Sequence, residues 1–323
     1  MSDLTHQVAL IQRGLKISHL RMMAALAQTG QISLAAEILG IAQPAASRLL
    51  AEVERIAGAP VHLRVGRGIT LTPMGTVLAR RAQRLMIELQ DAGRELSDLA
   101  TGQIGHVAIG AVTAPALDLV LPALRSARLS SPGLSAEVTV APSDILCDQL
   151  LAGKLDFAIA RIPAQLETGQ FSGRLIAAEP VLLVARRGHR LATAPAVSAS
   201  ELLDYDWVMP GSSSPLGVAV LARLERLGLP MPSRRLSTAS FLLTLALLKQ
   251  SNSIAPLAEA VARQFAEGPD APFAILNIDL GIEVAPYSLL TRAGSALTPA
   301  ATTLVNLMMQ AVALTATPPQ RDR

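Results

Sequence analysis

Apolar positions in the first 70 residues recur at helical spacing in short bursts divided by tight turns. Ser33-Leu34-Ala35-Ala36-Glu37-Ile38-Leu39 opens on Ser33 as an N-cap and runs two turns to Gly40, whose missing Cβ suits a sharp turn. Pro44 then opens a second helix, predicted over residues 44–55, in which Ala46, Leu50 and Val53 share one face. Gln43, Ser47 and Arg48 lie opposite, all able to hydrogen-bond to base edges or phosphates. Two short helices around a tight turn, the second starting with polar and basic side chains, form a helix-turn-helix. Downstream, Arg64-Val65-Gly66-Arg67-Gly68 before Ile69-Thr70-Leu71-Thr72 predicts a β-wing whose arginines would reach phosphates or a minor groove; a solvated hairpin is the alternative.

The next pattern is longer. Leu78, Ala82, Leu85, Leu89, Ala92, Leu96 and Leu99 alternate at spacings of four and three, an a/d seam through three heptads, with Thr72 as N-cap and Pro73 in the first turn. Such a seam either joins two copies as a homodimer, the preferred reading, or packs on its own domain. Beyond Gly102 and Gly105, β-rich runs such as His106-Val107-Ala108-Ile109-Gly110 alternate with helical segments, which predicts an α/β domain.

Composition narrows the class. With 323 residues, 50% hydrophobic and 16% charged, the chain has the size for two or three globular domains and not the make-up of a disordered one. Its longest strongly apolar run, Phe241 to Leu248, falls far short of the roughly 20 residues of a membrane helix, and the first residues lack a signal-peptide core, so a cytoplasmic protein with no membrane partner is expected. A single cysteine, Cys147, excludes an internal disulfide, and five scattered histidines leave no zinc cluster, so neither metal nor cofactor is expected. Cys147 reads as a buried helix residue in preference to a redox sensor. The net charge of +3 hides an asymmetry: residues 1–84 carry ten Lys/Arg against four acids, the remainder 18 against 21. The basic end should therefore meet a polyanion. No Gly-x-Ser-x-Gly, Walker or His-Glu-x-x-His pattern is present, and His106 and His189 read as structural or exposed; an enzyme is not expected.

Ala36-Glu37-Ile38-Leu39-Gly40-Ile41-Ala42-Gln43-Pro44-Ala45-Ala46-Ser47-Arg48-Leu49-Leu50, with Glu54 after it, resembles the winged helix-turn-helix core of the LysR-type transcriptional regulators. Arg67-Gly68-Ile69-Thr70-Leu71-Thr72-Pro73-Met74-Gly75 resembles that family's wing and the start of its linker helix, and Gly102 to Gly110 its junction with the effector domain. Two departures stand out. Val61-His62 replaces the usual Leu-Phe, making His62 either a hydrogen-bonded substitute or a titrating group under the wing. Lys249-Gln250-Ser251-Asn252-Ser253-Ile254-Ala255-Pro256 replaces a glycine-rich segment.

The resemblance implies an α/β multi-domain chain: a winged helix-turn-helix over residues 1–72, a linker and dimerisation helix over 73–101, and a two-lobed, periplasmic-binding-protein-like effector domain over 102–323. Lobe I would take residues 104–161 and 268–323 and lobe II residues 162–267, with crossings near Arg161 to Ala164 and Gly268 to Ala271. It further implies double-stranded operator DNA as partner, homodimers or homotetramers, RNA polymerase as a candidate partner, and a small-molecule inducer between the lobes. Arg48 and Gln43 would read base edges and Ser33, Ser47, Arg64 and Arg67 would hold the backbone, with Pro44 in the same DNA-binding set. Leu78, Leu85, Leu89, Leu96 and Leu99 would dimerise. Thr113, Ser143, Arg161, Ser212, Ser214 and Thr238, at strand ends and helix starts, would line the cleft. The serines and threonines have an ordinary alternative as helix caps, and Arg161 as partner of an acid. Eight aromatics in all supply an aromatic-lined pocket poorly, whereas the serines, threonines and Arg161 suit a small hydroxylated or carboxylated metabolite such as a sugar, sugar acid or aromatic acid. A periplasmic solute-binding protein would explain the two lobes but not the basic helix-turn-helix.

Overall fold

The computed structural model describes residues 10–66, 68–101 and 105–316. They fall into two compact units, divided after Gly102.

The first unit begins with α1 (Ile17–Thr29), α2 (Ile32–Leu39) and α3 (Gln43–Ala57), followed by the hairpin β1 (His62–Val65) and β2 (Gly68–Leu71) and the long α4 (Pro73–Thr101). Its core joins Met22, Met23 and Leu26 of α1, Ala35 and Ala36 of α2, Ala46, Leu50 and Val53 of α3, and Ala79 and Ala82 of α4. The predicted apolar face of the second helix is thus the buried one. Gly40 adopts φ 65° and ends α2 as expected. Ser33 is not the cap, however. Gln31 precedes the helix, and Ser33 sits within its first turn. Thr72 does cap α4: its Oγ1 accepts the Gly75 N–H at 3.1 Å and donates to Pro60 O at 2.8 Å. Glycine is needed at 75, because a Cβ there would lie 1.9 Å from Val61 O.

The predicted a/d seam divides along α4. Ala79, Ala82 and Met86 face the core of their own unit, and Leu78 packs half-buried with them, so the first turns belong to the domain and not to a free seam. Leu85, Leu89 and Leu96 remain 50%, 52% and 68% exposed. The side chain of Leu99 lies outside the described residues.

The second unit holds a seven-stranded sheet ordered β10-β6-β11-β5-β3-β4, with β9 also paired to β6. Its strands are β3 (Gly105–Ala111), β4 (Leu134–Val140), β5 (Phe157–Ala160), β6 (Phe171–Arg186), β9 (Ala255–Ala258), β10 (Phe273–Ile275) and β11 (Ile282–Arg292); β7 (Trp207–Met209) and β8 (Arg235–Ser237) form a separate parallel pair. β3 runs parallel to β4 and β5, and β11 antiparallel to β5 and β6. The helices are α5 (Leu121–Ser130), entered through a short turn at Thr113–Pro115 and a π-helical turn at Ala116–Val120, then α6 (Ser143–Leu151), α7 (Pro215–Arg226), α8 (Phe241–Gln250), α9 (Glu259–Ala266) and α10 (Pro299–Ala316). No helix among the described residues is long and apolar enough to cross a membrane.

Two cores define two lobes. One gathers Val107, Ile109, Phe157, Ile159, Leu289, Leu304 and Met308; the other Val181, Leu183, Trp207, Val220, Leu224 and Ile282. Each large side chain in them contributes about 1.5–3 kcal/mol by leaving water. The crossings lie further along than expected. Ser172 to Ala177 of β6 still pair with the lobe I part of β11, whereas Val181 to Val184 pair with β9 in lobe II. β11 pairs Ile282 to Val284 with Val181 to Glu179, then shifts register before Tyr287. The chain therefore crosses around Ala178 and again around Ala285, inside two continuous strands. Gly268 to Ala271 only links α9 to β10 within lobe II, since β10 pairs with Val184 to Arg186.

Candidate nucleic-acid interface and interlobe cleft

Burial of Ala46, Leu50 and Val53 turns Gln43, Pro44, Ser47 and Arg48 outward together on the first turns of α3. Ser33 on α2 and Arg64 on β1 are exposed as well. Among the described residues, none of the side chains of Ser33, Gln43, Ser47, Arg48 and Arg64 has a hydrogen-bond or ionic partner, so their donors and acceptors remain available to an outside polyanion. Arg67 lies outside the described residues. The hairpin pairs Val65 with Gly68, as a wing requires, and Ile69 N–H donates to Gly30 O at 2.9 Å, fastening β2 to the end of α1.

Two histidines that sequence patterns left unassigned or open set the posture of α3. His19, almost wholly buried, accepts the Lys16 N–H on Nδ1 at 3.0 Å, so its Nε2 carries the proton and donates to Glu52 at 2.8 Å. That hydrogen bond holds the Glu52 carboxyl below its ordinary range. His62 is a hydrogen-bonded substitute: its Nδ1 lies 3.0 Å from Glu54 Oε1, which also accepts the Val61 N–H. The pairs His19–Glu52 and His62–Glu54 are far apart in sequence relative to helical spacing, and no local signal announces them.

In the second unit, the C-terminal ends of the parallel strands β3, β4 and β5 share one edge, which brings Thr113, Ser143 and Arg161 to the same end of lobe I. β7 and β8 do the same in lobe II for Ser212, Ser214 and Thr238. The two ends meet, because Ala114 shares an apolar cluster with Val208, Leu248 and Val261 of lobe II.

The individual side chains differ in what they still offer. Thr113 and Ser143 are first-turn residues and not caps, preceded by Val112 and Pro142. Thr113 and Ser212 are exposed and without a side-chain partner among the described residues. Ser143 Oγ accepts the Arg161 N–H at 3.2 Å. Ser214 is the cap of α7, accepting the Gly217 N–H at 3.0 Å and donating to Gly211 O at 2.7 Å. Thr238 Oγ1 accepts the Ser240 N–H, and it is Ser240, unnoticed in the sequence, that caps α8 through the Leu243 N–H. Arg161 is committed to an acid: Nη2 lies 2.5 Å from Glu179 Oε2, and Nε donates to Ala285 O at 2.6 Å. Its guanidinium sits 5.8 Å from the Tyr287 ring centroid.

Charge around this junction is dense. Burial and the neighbouring Glu259 raise the Asp118 carboxyl. Burial, with the charges of Asp118 and Glu179, pushes the Tyr287 phenol up to about 12, against the opposing pull of Arg161. Burial likewise pushes the Cys147 thiol up to about 11, which keeps it protonated and unreactive as a buried helix residue.

An exposed polar face on a tight two-helix turn, followed by two lobes joined by crossing strands, lies within the residues that the family comparisons match. Residues 17–76 match the bacterial regulatory helix-turn-helix protein, lysR family, and residues 100–313 the LysR substrate binding domain. The chain belongs to the LysR family of transcriptional regulators. This regulator is 42% identical over 264 residues to GbpR of Rhizobium radiobacter, covering 80% of this chain and 86% of that one. It is 33% identical to GbpR of Azospirillum brasilense, covering 90% and 84%. PcaQ of Agrobacterium fabrum is 28% identical, covering 88% of this chain and 91% of that one. Among solved structures, full-length CbnR complexed with its target DNA aligns with TM-score 0.56 and 20% identity, covering 92% of this chain and all of that one. Full-length OxyR of Pseudomonas aeruginosa aligns at 0.60 and 18%, covering 96% and 99%. At such identities the structural likeness speaks for the fold. The family is one of transcriptional regulators and not of enzymes.

Proposed function

We propose that this LysR-family regulator binds a specific operator in the cytoplasm as a homodimer or homotetramer, under control of a small metabolite held between its two lobes. The outward face of α3 carries the reading. Gln43 and Arg48 address base edges there, while Ser33, Ser47, Arg64 and Arg67 hold phosphates. The exposed row Leu85, Leu89 and Leu96 supports pairing of two linker helices. RNA polymerase is the partner through which a bound regulator would act.

Thr113 and Ser212 support a hydroxyl-rich ligand. Because Glu179 and Ala285 already occupy the Arg161 guanidinium, a sugar fits this cleft better than a sugar acid or an aromatic acid. Such a ligand shifts the lobes only by its differential affinity for their two arrangements.

Fluorescence anisotropy of the full chain with DNA upstream of its own gene, against a shuffled duplex over a salt series, tests this reading. Tighter binding to the native duplex is expected, with sugars then altering that binding and the emission of Trp207. Equal weak binding to both duplexes, together with failed selection from genomic DNA, would refute it.

A further inference from the structure

Among the described residues, the strands that pass between the lobes are β6 and β11, and Arg161 holds both at the crossing. Its Nη2 bonds Glu179 of β6 at 2.5 Å, and its Nε bonds Ala285 O of β11 at 2.6 Å, in the interval where the register shifts between Val284 and Tyr287. Val284 is also the register partner of Glu179, so the two anchor points are adjacent on facing strands. The same residue is tied at its backbone to the cleft wall. Its N–H donates to Ser143 Oγ at 3.2 Å, and its carbonyl accepts from Cys147 Sγ at 3.6 Å, both on α6. Its fork rests near the buried ring of Tyr287.

We propose that Arg161 is a hinge latch: a positioning residue that locks β6 to β11 at the crossing and couples the Ser143 turn of the cleft to the angle between the lobes. A planar guanidinium can bond a carboxylate and a carbonyl at once, which a lysine ammonium at one point cannot match in the same geometry. A ligand that draws the Ser143 hydroxyl would move the turn that seats the Arg161 backbone, and through the fork both crossing strands. That last consequence rests on the effector-cleft reading; the latch itself does not.

Electron spin–spin distances in the full chain test the latch directly, without ligand or DNA. Labels go on cysteines introduced at exposed Ser126 of lobe I and Glu225 of lobe II, with labelled protein diluted into an excess of unlabelled chain; native Cys147 is buried. The wild type should give one narrow distribution. Glu179→Gln, which keeps the shape of the side chain, should broaden it, Arg161→Met should broaden it further, and Arg161→Lys should fall between Arg and Met. Amide exchange at Val284, Ala285 and Tyr287 should rise on the order of tenfold in Glu179→Gln, with β3 amides unchanged. Ser143→Ala should raise exchange at the same three amides by less. A Glu179→Gln distribution as narrow as the wild type's overturns the latch, even if Arg161→Met fails to fold, and so does equal broadening by Lys and Met, which would indicate packing alone. Failure of the effector reading looks different: no sugar alters operator binding, yet the Glu179→Gln distribution still broadens.

Discussion

His19 Nε2 lies 2.8 Å from Glu52 Oε2, joining the first turn of α1 to the outer flank of α3. The imidazole is buried and the carboxylate is exposed, so the two ends of this bond have unequal worth. His19→Ala opens a void and strands the Lys16 N–H, a loss of about 2 kcal/mol. Glu52→Gln keeps an acceptor and should change stability little. Because the Glu52 carboxyl is held below its ordinary value in the fold, its contribution is full above that value and fades as pH falls through the lowered one. Thermal melts of both variants across acid pH check the ordering, and a Glu52→Gln loss equal to that of His19→Ala would contradict it.

Two glycines of α4 make an internal control. A Cβ at Gly75 would meet the backbone oxygen of Val61 at 1.9 Å, whereas one at Gly93 would meet nothing within 4 Å. Gly75→Ala must therefore push α4 away from the loop before the wing, at a cost of roughly 2–4 kcal/mol. Gly93→Ala should stabilise the same helix by about 1 kcal/mol. Urea unfolding of the two variants should move in opposite directions.

What could be read from the chain was what depends on near neighbours. Ala46, Leu50 and Val53 declare the buried face of α3 by period alone, and Gly40 and Thr72 mark ends that depend only on the next few residues. The lobe crossings were not legible in this way. β6 carries an exposed first half and a buried second half in one unbroken strand, and only its long-range pairing with β9 and β11 says where it changes lobe. Arg161 was visible as a strand-end cation, but its partners stand 18 and 124 residues away. The heptad spacing is silent on a similar point: a 4-3 pattern fixes a stripe on α4 but not which neighbour covers each part of it, and Ala82 is buried, and Leu78 half-buried, in their own unit.

On DNA, Arg48 and Arg64 should fail differently. Arg48 projects from the first turns of α3, where a guanidinium can bond a guanine edge in two places. Arg48→Ala should relax the choice of base at one position, costing about 1–3 kcal/mol on the preferred operator and little on others. If Arg64 holds a phosphate from the wing as proposed, Arg64→Ala should weaken binding alike on all sequences and flatten the salt slope by about one. Anisotropy titrations over a salt series separate the two patterns. Unchanged operator preference in Arg48→Ala would remove that residue from the reading face.

Acid should loosen lobe II through His189. Its Nδ1 accepts the Leu191 N–H at 3.1 Å and its Nε2 lies 3.1 Å from Asn252 O, an arrangement that requires the neutral ring. Burial, aided by Arg186, holds the ring's pKa below the ordinary imidazole value, while the bond to Asn252 pulls the other way. The unfolded chain then takes up a proton first. Stability is full above the ordinary imidazole value and is lost as pH falls from there toward the lowered folded value. Melting followed by Trp207 emission between neutral and mildly acidic pH should show this decline, and His189→Gln, less stable at neutral pH, should show a shallower one. An equal decline in both proteins would assign the acid sensitivity to other groups.

The exposed row on α4 separates assembly from folding. Leu85, Leu89 and Leu96 recur at spacings of four and seven, so they stand on one side of the helix and leave about half or more of each side chain open. Ala82, three residues before Leu85 on the same predicted seam, is fully buried against the helix-turn-helix core. A charge at Leu89 would meet water in the monomer but a desolvated seam in a paired helix, where it has no partner. Leu89→Glu should therefore leave the helical signal and melting of the monomeric fold near wild type while shifting the mass measured by light scattering toward the monomer. Ala82→Glu, by contrast, should unfold the DNA-binding unit, since the carboxylate would enter a packed core. Operator affinity of Leu89→Glu should fall as well, because two half-sites are then bound independently and the gain in effective concentration is lost. If Leu89→Glu kept the wild-type mass, α4 would not be the pairing helix, and the stripe would be an exposed face with no role in assembly.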